Sequence, residues 1–224
     1  MQKIQNTIFL ILILLLFVTG CSEESTSSQA SLPLNDEGII VAVGDSLTEG
    51  LGVEEEFAYP AMLEKKLHAE GYRYGVINAG VSGETSSATL ARIEWVLKLK
   101  PDIVILVIGA NDGLRGIDPA LIKANIRKII EVLKQNNVIV VLGGMKIVQN
   151  MGREYTINFE KVYPELARVE NVIFIPFFLS NVAADPALNQ ADAIHPTAEG
   201  YRIIVDNITP YVIEAIRTHT ARGN

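Results

Sequence analysis

From residue 39 onward the chain alternates between two kinds of segment. Short runs rich in branched aliphatics occupy 39–43 (IIVAV), 74–78 (YGVIN), 102–109 (DIVILVIG), 138–144 (VIVVLGG) and 171–177 (NVIFIPF). They are mostly continuous rather than alternating, the pattern of parallel strands covered on both faces. Between them, apolar positions recur at helical spacing. YPAMLEKKLHAEG opens near Pro60 and closes at Gly71,. SSATLARIEWVLKLK runs to Pro101, and DPALIKANIRKIIEVLKQNN has Asp118 as N-cap with Pro119 following it,. EYTINFEKVYPELARVE reads as a helix despite Pro164, whereas the region after Pro196 is expected to break or restart at Thr209-Pro210,. Five successive β-α units predict an α/β fold with a doubly wound, five-stranded parallel sheet between helical layers. Sites in such sheets lie at the carboxyl ends of the strands.

The beginning of the chain has a different pattern. MQKIQNTIFLILILLLFVTGC places Lys3 ahead of an apolar stretch from Ile8 to Val18, then small Thr19-Gly20 and the only cysteine, Cys21. Spanning a bilayer takes ~20 apolar residues, so this shorter stretch predicts a cleaved signal. VTGC resembles a bacterial lipoprotein signal, in which cleavage leaves a lipidated N-terminal cysteine. The Ser-rich SEESTSSQASLPLNDEG behind it has the composition of a flexible tether,. The expected organisation is a signal over 1–20, a tether over 21–37 carrying lipidated Cys21, and one folded domain over 38–224. The resemblance implies a lipid-anchored protein of the bacterial cell envelope, associated with its membrane through the anchor.

Composition narrows the chemistry. At 224 residues and 49% hydrophobic content, the chain suits a single core,. A formal net charge of −7, with no basic stripe, argues against nucleic acid as a partner,. One cysteine and three histidines are too few for an ordinary zinc site,. No Gly-Lys-Ser/Thr follows a strand, and GLGVEE has Glu55 where a dinucleotide loop would carry its third glycine,. No cofactor or metal is implied.

What remains is at the strand ends: GDSLTEG after the first run, NAGVSGET after the second, GANDG after the third and ADAIHP past the fifth. A serine hydroxyl needs a base to become a nucleophile. His68 lies in a polar stretch of helix and His219 in the C-terminal RTHTARGN, which leaves His195 as the candidate base for Ser46. Asp192, three residues earlier, is spaced to reach back to the imidazole and fix its tautomer. The blander reading is that Asp192 or His195 caps the following helix. An oxyanion needs aimed donors, and the candidates are the Ser46 N–H, the Gly80 N–H and the Asn111 amide. Glycine at 80 would let the backbone approach a substrate closely. Asp45 is adjacent to Ser46 and is read as structural, because neighbouring side chains at a strand end diverge.

In this order the four blocks resemble the SGNH hydrolases, also called the GDSL esterase/lipase family, over Ile39 to about Ile216. Stretches between the blocks are similar to the thioesterase, lysophospholipase and arylesterase subgroup. The resemblance implies a flavodoxin-like three-layer α/β/α sandwich, with Ser46 as nucleophile and His195 and Asp192 as base and orienting acid. Ser46, Gly80 and Asn111 would form the oxyanion hole. It implies hydrolysis of carboxylic esters, including lysophospholipid, aryl or short-to-medium acyl esters and thioesters, with no cofactor. The weighed alternatives are a carbohydrate O-acetyl esterase of the same family and a non-catalytic lipid- or glycan-binding lipoprotein. Ala193 stands where the subgroup usually has glycine, and KIVQNMG lacks its usual proline pair. Leu114, Ile117, Phe177, Phe178 and Leu179 are candidates to line an acyl groove. The α/β-hydrolase elbow, Gly-x-Ser-x-Gly, fails at Thr48,. The chain leaves the oligomeric state open.

Overall fold

The structure is a computed structural model that describes residues 37–147 and 151–223. The signal, Cys21 and all of the tether except Glu37 lie outside the described residues. Five strands, β1 (Gly38–Gly44), β2 (Tyr74–Gly80), β3 (Ile103–Val107), β4 (Ile139–Gly143) and β5 (Ile173–Ile175), form one sheet. Their order is β2-β1-β3-β4-β5, and every pairing is parallel. All residues of β3 and β4 are buried, as continuous aliphatic runs require,. β2 is an edge strand with Ile77 and Asn78 exposed. β5 is shorter than its run implies, because Asn171 turns the chain at φ 50 and Pro176 follows the strand,.

Two groups of helices cover the sheet. α2 (Tyr59–Ala69) packs with α8 (Ala198–Gly223); α3 (Ser86–Ala91), α4 (Ile93–Lys98), α6 (Pro119–Gln135) and α7 (Arg153–Glu170) form the other group. The short α1 (Ser46–Glu49) and α5 (Ala110–Leu114) follow β1 and β3 directly. Asp118 caps α6 as expected, accepting from the Ala120 N–H at 2.8 Å,.

Two helix expectations change. The segment 86–98 is not one helix but two, interrupted at Arg92 (φ −108, ψ 7). Its guanidinium turns inward to Glu84 and to the Ala79 carbonyl. Conversely, α8 continues through Pro210. Proline removes one backbone donor, which costs roughly 3 kcal/mol in a helix interior. Ile204, Val205 and Ile208 before it and Val212, Ala215 and Ile216 after it are all buried. Burying such side chains is worth about 1.5–3 kcal/mol each, so packing outweighs the lost bond.

The reversal of strand order puts β1 between β2 and β3, so the chain after β1 and the chain after β3 meet across a switch point. That is where ligands bind in open α/β sheets. Ser46 follows one of these strands and Asn111 the other.

Candidate active site

Gly44 ends β1 where a Cβ would overlap the Thr48 hydroxyl and the Val107 carbonyl, so only glycine permits this tight turn. Asp45 is the N-cap of α1, accepting from the Leu47 N–H at 3.0 Å, and Ser46 opens the helix. Gly50, at φ 91, closes it,. Ser46 is thereby held at the lip of the sheet, 8% exposed.

Ser46 Oγ lies 2.8 Å from His195 Nε2, bridging 149 positions of sequence. His195 Nδ1 lies 2.6 Å from Asp192 Oδ2. The other carboxylate oxygen, Oδ1, accepts from the backbone N–H of Ile194 at 2.9 Å and of His195 at 3.0 Å. The His195 N–H, the His195 ring and the Ile194 N–H, in that order, hold the Asp192 carboxyl down to about 2. An ionised Asp192 takes the Nδ1 proton as its hydrogen-bond donor, which leaves Nε2 as the acceptor for the serine hydroxyl. Neither residue caps the following helix: the Thr197 hydroxyl does, accepting from the Gly200 N–H at 3.2 Å.

The other two histidines lie elsewhere. His68 pairs with the Tyr74 carbonyl at 3.1 Å. His219 belongs to α8 and meets the Tyr74 hydroxyl at 2.7 Å and Asp102 at 3.3 Å. Tyr74 begins β2 and Asp102 precedes β3, so this cluster is at the end of the sheet remote from Ser46.

Among the oxyanion candidates, Ser46 is the first residue of α1, where a backbone N–H has no partner within the helix,. The Asn111 amide is brought across the switch point, and its Nδ2 donates to Asp45 Oδ2 at 3.2 Å. Gly80 is placed differently from expectation. Its N–H donates to Asn78 Oδ1 at 3.0 Å, and a Cβ there would overlap the Glu49 backbone nitrogen. The glycine lets β2 approach α1. Gly83, three residues on, sits at φ 75 with only the Arg115 guanidinium near the position of a Cβ. Among the described residues its N–H has no acceptor.

Burial raises the Asp45 carboxyl to about 6, opposed by bonds from the Leu47 N–H and the Asn111 amide.

Several further groups position these segments. Gln190 Nε2 donates to the Leu51 carbonyl at 2.7 Å and to the Pro196 carbonyl at 3.0 Å, tying the His195 loop to the turn after α1. Arg92 makes a two-pronged pair with buried Glu84 (2.5 and 2.6 Å) and reaches the Ala79 carbonyl at 2.7 Å, so it holds both ends of the Gly83 loop. Asp112, fully buried, accepts from the Ser86 N–H and hydroxyl at 2.8 and 2.5 Å. What looks in sequence like an Asn-Asp-Gly turn is therefore the short helix α5, pinned to α3.

Of the candidates for an acyl groove, one is excluded by its burial. Phe178 is fully buried, with its ring edge-on to Tyr59 at 5.2 Å, and Ile117 and Leu179 pack against the core. Leu114 is widely exposed. So are Leu51, Val81 and Ile194, one on each of the other strand-end segments. Ala193 adopts φ 58, a left-handed conformation that favours glycine,. The KIVQNMG segment is only partly described.

Residues 42–203 match the model of the GDSL-like lipase/acylhydrolase family. The esterase TesA of Pseudomonas aeruginosa is 36% identical over 172 residues, covering 76% of this chain and 86% of that protein. Thioesterase 1/protease 1/lysophospholipase L1 of Escherichia coli K12 is 35% identical over 168 residues, covering 75% and 79%. The crystal structure of AlinE4, an SGNH-hydrolase family esterase, is similar with a TM-score of 0.68 at 40% identity. It covers 80% of this chain and 96% of that one.

Proposed function

The chain belongs to the GDSL-like lipase/acylhydrolase family and is a serine hydrolase of carboxylic esters; on that premise, we propose that Ser46, His195 and Asp192 are its catalytic residues. The observation that carries this assignment is the unbroken chain of hydrogen bonds from the Ser46 hydroxyl through the imidazole to Asp192. Ser46 Oγ attacks the ester carbonyl while His195 Nε2 takes its proton, and Asp192 stabilises the imidazolium. The imidazolium then protonates the leaving alcohol. Water, activated by the same ring, releases the acyl group from Ser46.

The tetrahedral oxyanion is held by the Ser46 N–H and the Asn111 amide. We assign the third donor to Gly83 in place of Gly80, because the Gly80 N–H is already engaged by Asn78. Such donors act most strongly where charge develops, and losing one costs ~10²–10³ in kcat.

For the substrate, the names of the relatives support lysophospholipid and other carboxylic esters, with thioesters as a further class. The exposed aliphatics Leu51, Val81, Leu114 and Ile194 favour an apolar acyl group. For the N-terminus, VTGC supports lipidation of Cys21 and an anchor in the bacterial envelope. The test is a panel of aryl esters of graded chain length, lysophospholipid, acyl-CoA and acetylated sugars, run on the wild type and Ser46→Ala. Hydrolysis of the longer acyl esters, lost in Ser46→Ala, is the expected result. Turnover confined to acetylated sugars would favour the O-acetyl esterase reading, and none at all would favour a binding protein.

A further inference from the structure

Asp45 is a buried carboxylate beside the nucleophile that the reaction itself does not use. It is 2% exposed. Oδ1 accepts from the Leu47 N–H at 3.0 Å, and Oδ2 accepts from Asn111 Nδ2 at 3.2 Å across the β1–β3 switch point.

A side-chain amide has two ends of nearly the same size, one a donor and one an acceptor. In Asn111 only its partners decide which end faces the site. Turning the amide over would set its carbonyl oxygen against a buried carboxylate oxygen. That arrangement loses a charge-assisted bond and adds repulsion in a low-dielectric setting. A serine or a water opposite Asn111 would not discriminate, because a hydroxyl both donates and accepts. A carboxylate only accepts. One Nδ2 hydrogen goes to Asp45, and the second is left for another acceptor.

We propose that Asp45 is a positioning residue, locking the Asn111 amide with its donor end toward the reacting carbonyl. This rests on Asn111 being an oxyanion donor. The titratable groups facing Asp45 are His195 and Glu84, together with the hydroxyls of Tyr59, Tyr163 and Tyr201. Glu84 is paired to Arg92. Burial pushes all three tyrosines up, so they remain neutral donors around neutral pH.

The test is a double-mutant cycle on kcat. Asn111→Ala should lower kcat by ~10²–10³. Asp45→Asn, which leaves one carbonyl oxygen where the Leu47 N–H and Asn111 Nδ2 each need an acceptor, should lower it by roughly tenfold or more, a share of that same loss, with KM nearly unchanged,. Made on top of Asn111→Ala, Asp45→Asn should cost no more than about twofold, because the group it orients is gone. Losses that multiply would overturn the inference and make Asp45 only a cap for α1. An Asn111→Ala protein with wild-type kcat would overturn the oxyanion reading and the inference with it.

A second measurement keeps Asp45 in place. In ¹⁵N-labelled His195→Ala protein, the Asn111 side-chain NH₂ signals should move as Asp45 titrates, its carboxyl being raised by burial to about 6. NH₂ signals that do not move between about pH 4 and pH 8 would overturn the inference.

Discussion

Asp45 and Asp192 stand at opposite ends of the Ser46–His195 pair, and their surroundings act on them in opposite ways. Asp45 is 2% exposed at the end of a central strand, where burial raises its carboxyl to about 6. Asp192 is on an irregular loop with its side chain 44% exposed, where bonds from His195 and Ile194 lower its carboxyl to about 2. Linkage gives the two opposite signs. The Asp192 contribution to stability is present above the ordinary value of 3.8 and is lost as pH falls toward about 2,. The Asp45 contribution is present below 3.8 and is lost as pH rises through about 6,. The nucleophile half is therefore rigid because it is packed. The base half is ordered by a few directional bonds, with Gln190 joining the two.

The largest expected effect tests the base half. Asp192→Asn removes the acceptor that fixes the Nδ1–H tautomer, and kcat should fall by on the order of 10⁴. Since the charge that the His195 and Ile194 bonds stabilise is removed, the melting temperature should fall slightly as well,. A loss below about tenfold would show that the loop bonds alone orient the ring.

A smaller effect tests the packed half through its two glycines. Gly80→Ala pushes a methyl into the backbone of α1, and such overpacking costs about 1–3 kcal/mol,. The melting temperature should fall by several degrees. Gly83→Ala meets only the Arg115 guanidinium, at ordinary contact distance, but must hold φ 75, so it should lose about 1–2 kcal/mol and lower kcat in the molecules that remain folded,. Equal kcat losses in the two, with unchanged melting temperatures, would return the oxyanion role to Gly80.

The smallest effect concerns strain between Asp192 and His195. Ala193→Gly relieves a left-handed alanine worth roughly 1 kcal/mol, raising the melting temperature by about 2–4 °C with kcat unchanged,. A fall in the melting temperature would mean that the loop is stiffer for the alanine than it is strained by it.

Much of this architecture was legible in the sequence. Five aliphatic runs gave the five strands because burial on both faces leaves little room for polar residues, and the order of the blocks pointed to Ser46, Asn111, Asp192 and His195. The failures have local causes. A periodic pattern cannot show that Arg92 is drawn out of its helix by Glu84, or that a buried stripe carries α8 through Pro210. Gly80 was assigned to substrate access because a glycine does not say which backbone comes close to it. Gln190 lies in the stretch just before ADAIHP, but nothing in a sequence names its two acceptors, which are carbonyls that any residue could supply. Ala193 was visible as a departure, and its meaning emerged only with its φ of 58.

The central claim is that Ser46 is activated by His195 across the mouth of the sheet. Treatment with a fluorophosphonate, followed by mass spectrometry of the digested protein, tests it most directly. One phosphonyl group per chain should be found on Ser46 in the wild type, with labelling slowed by several orders of magnitude in a folded His195→Ala protein. A folded wild type left unlabelled, or one labelled equally fast without His195, would contradict it.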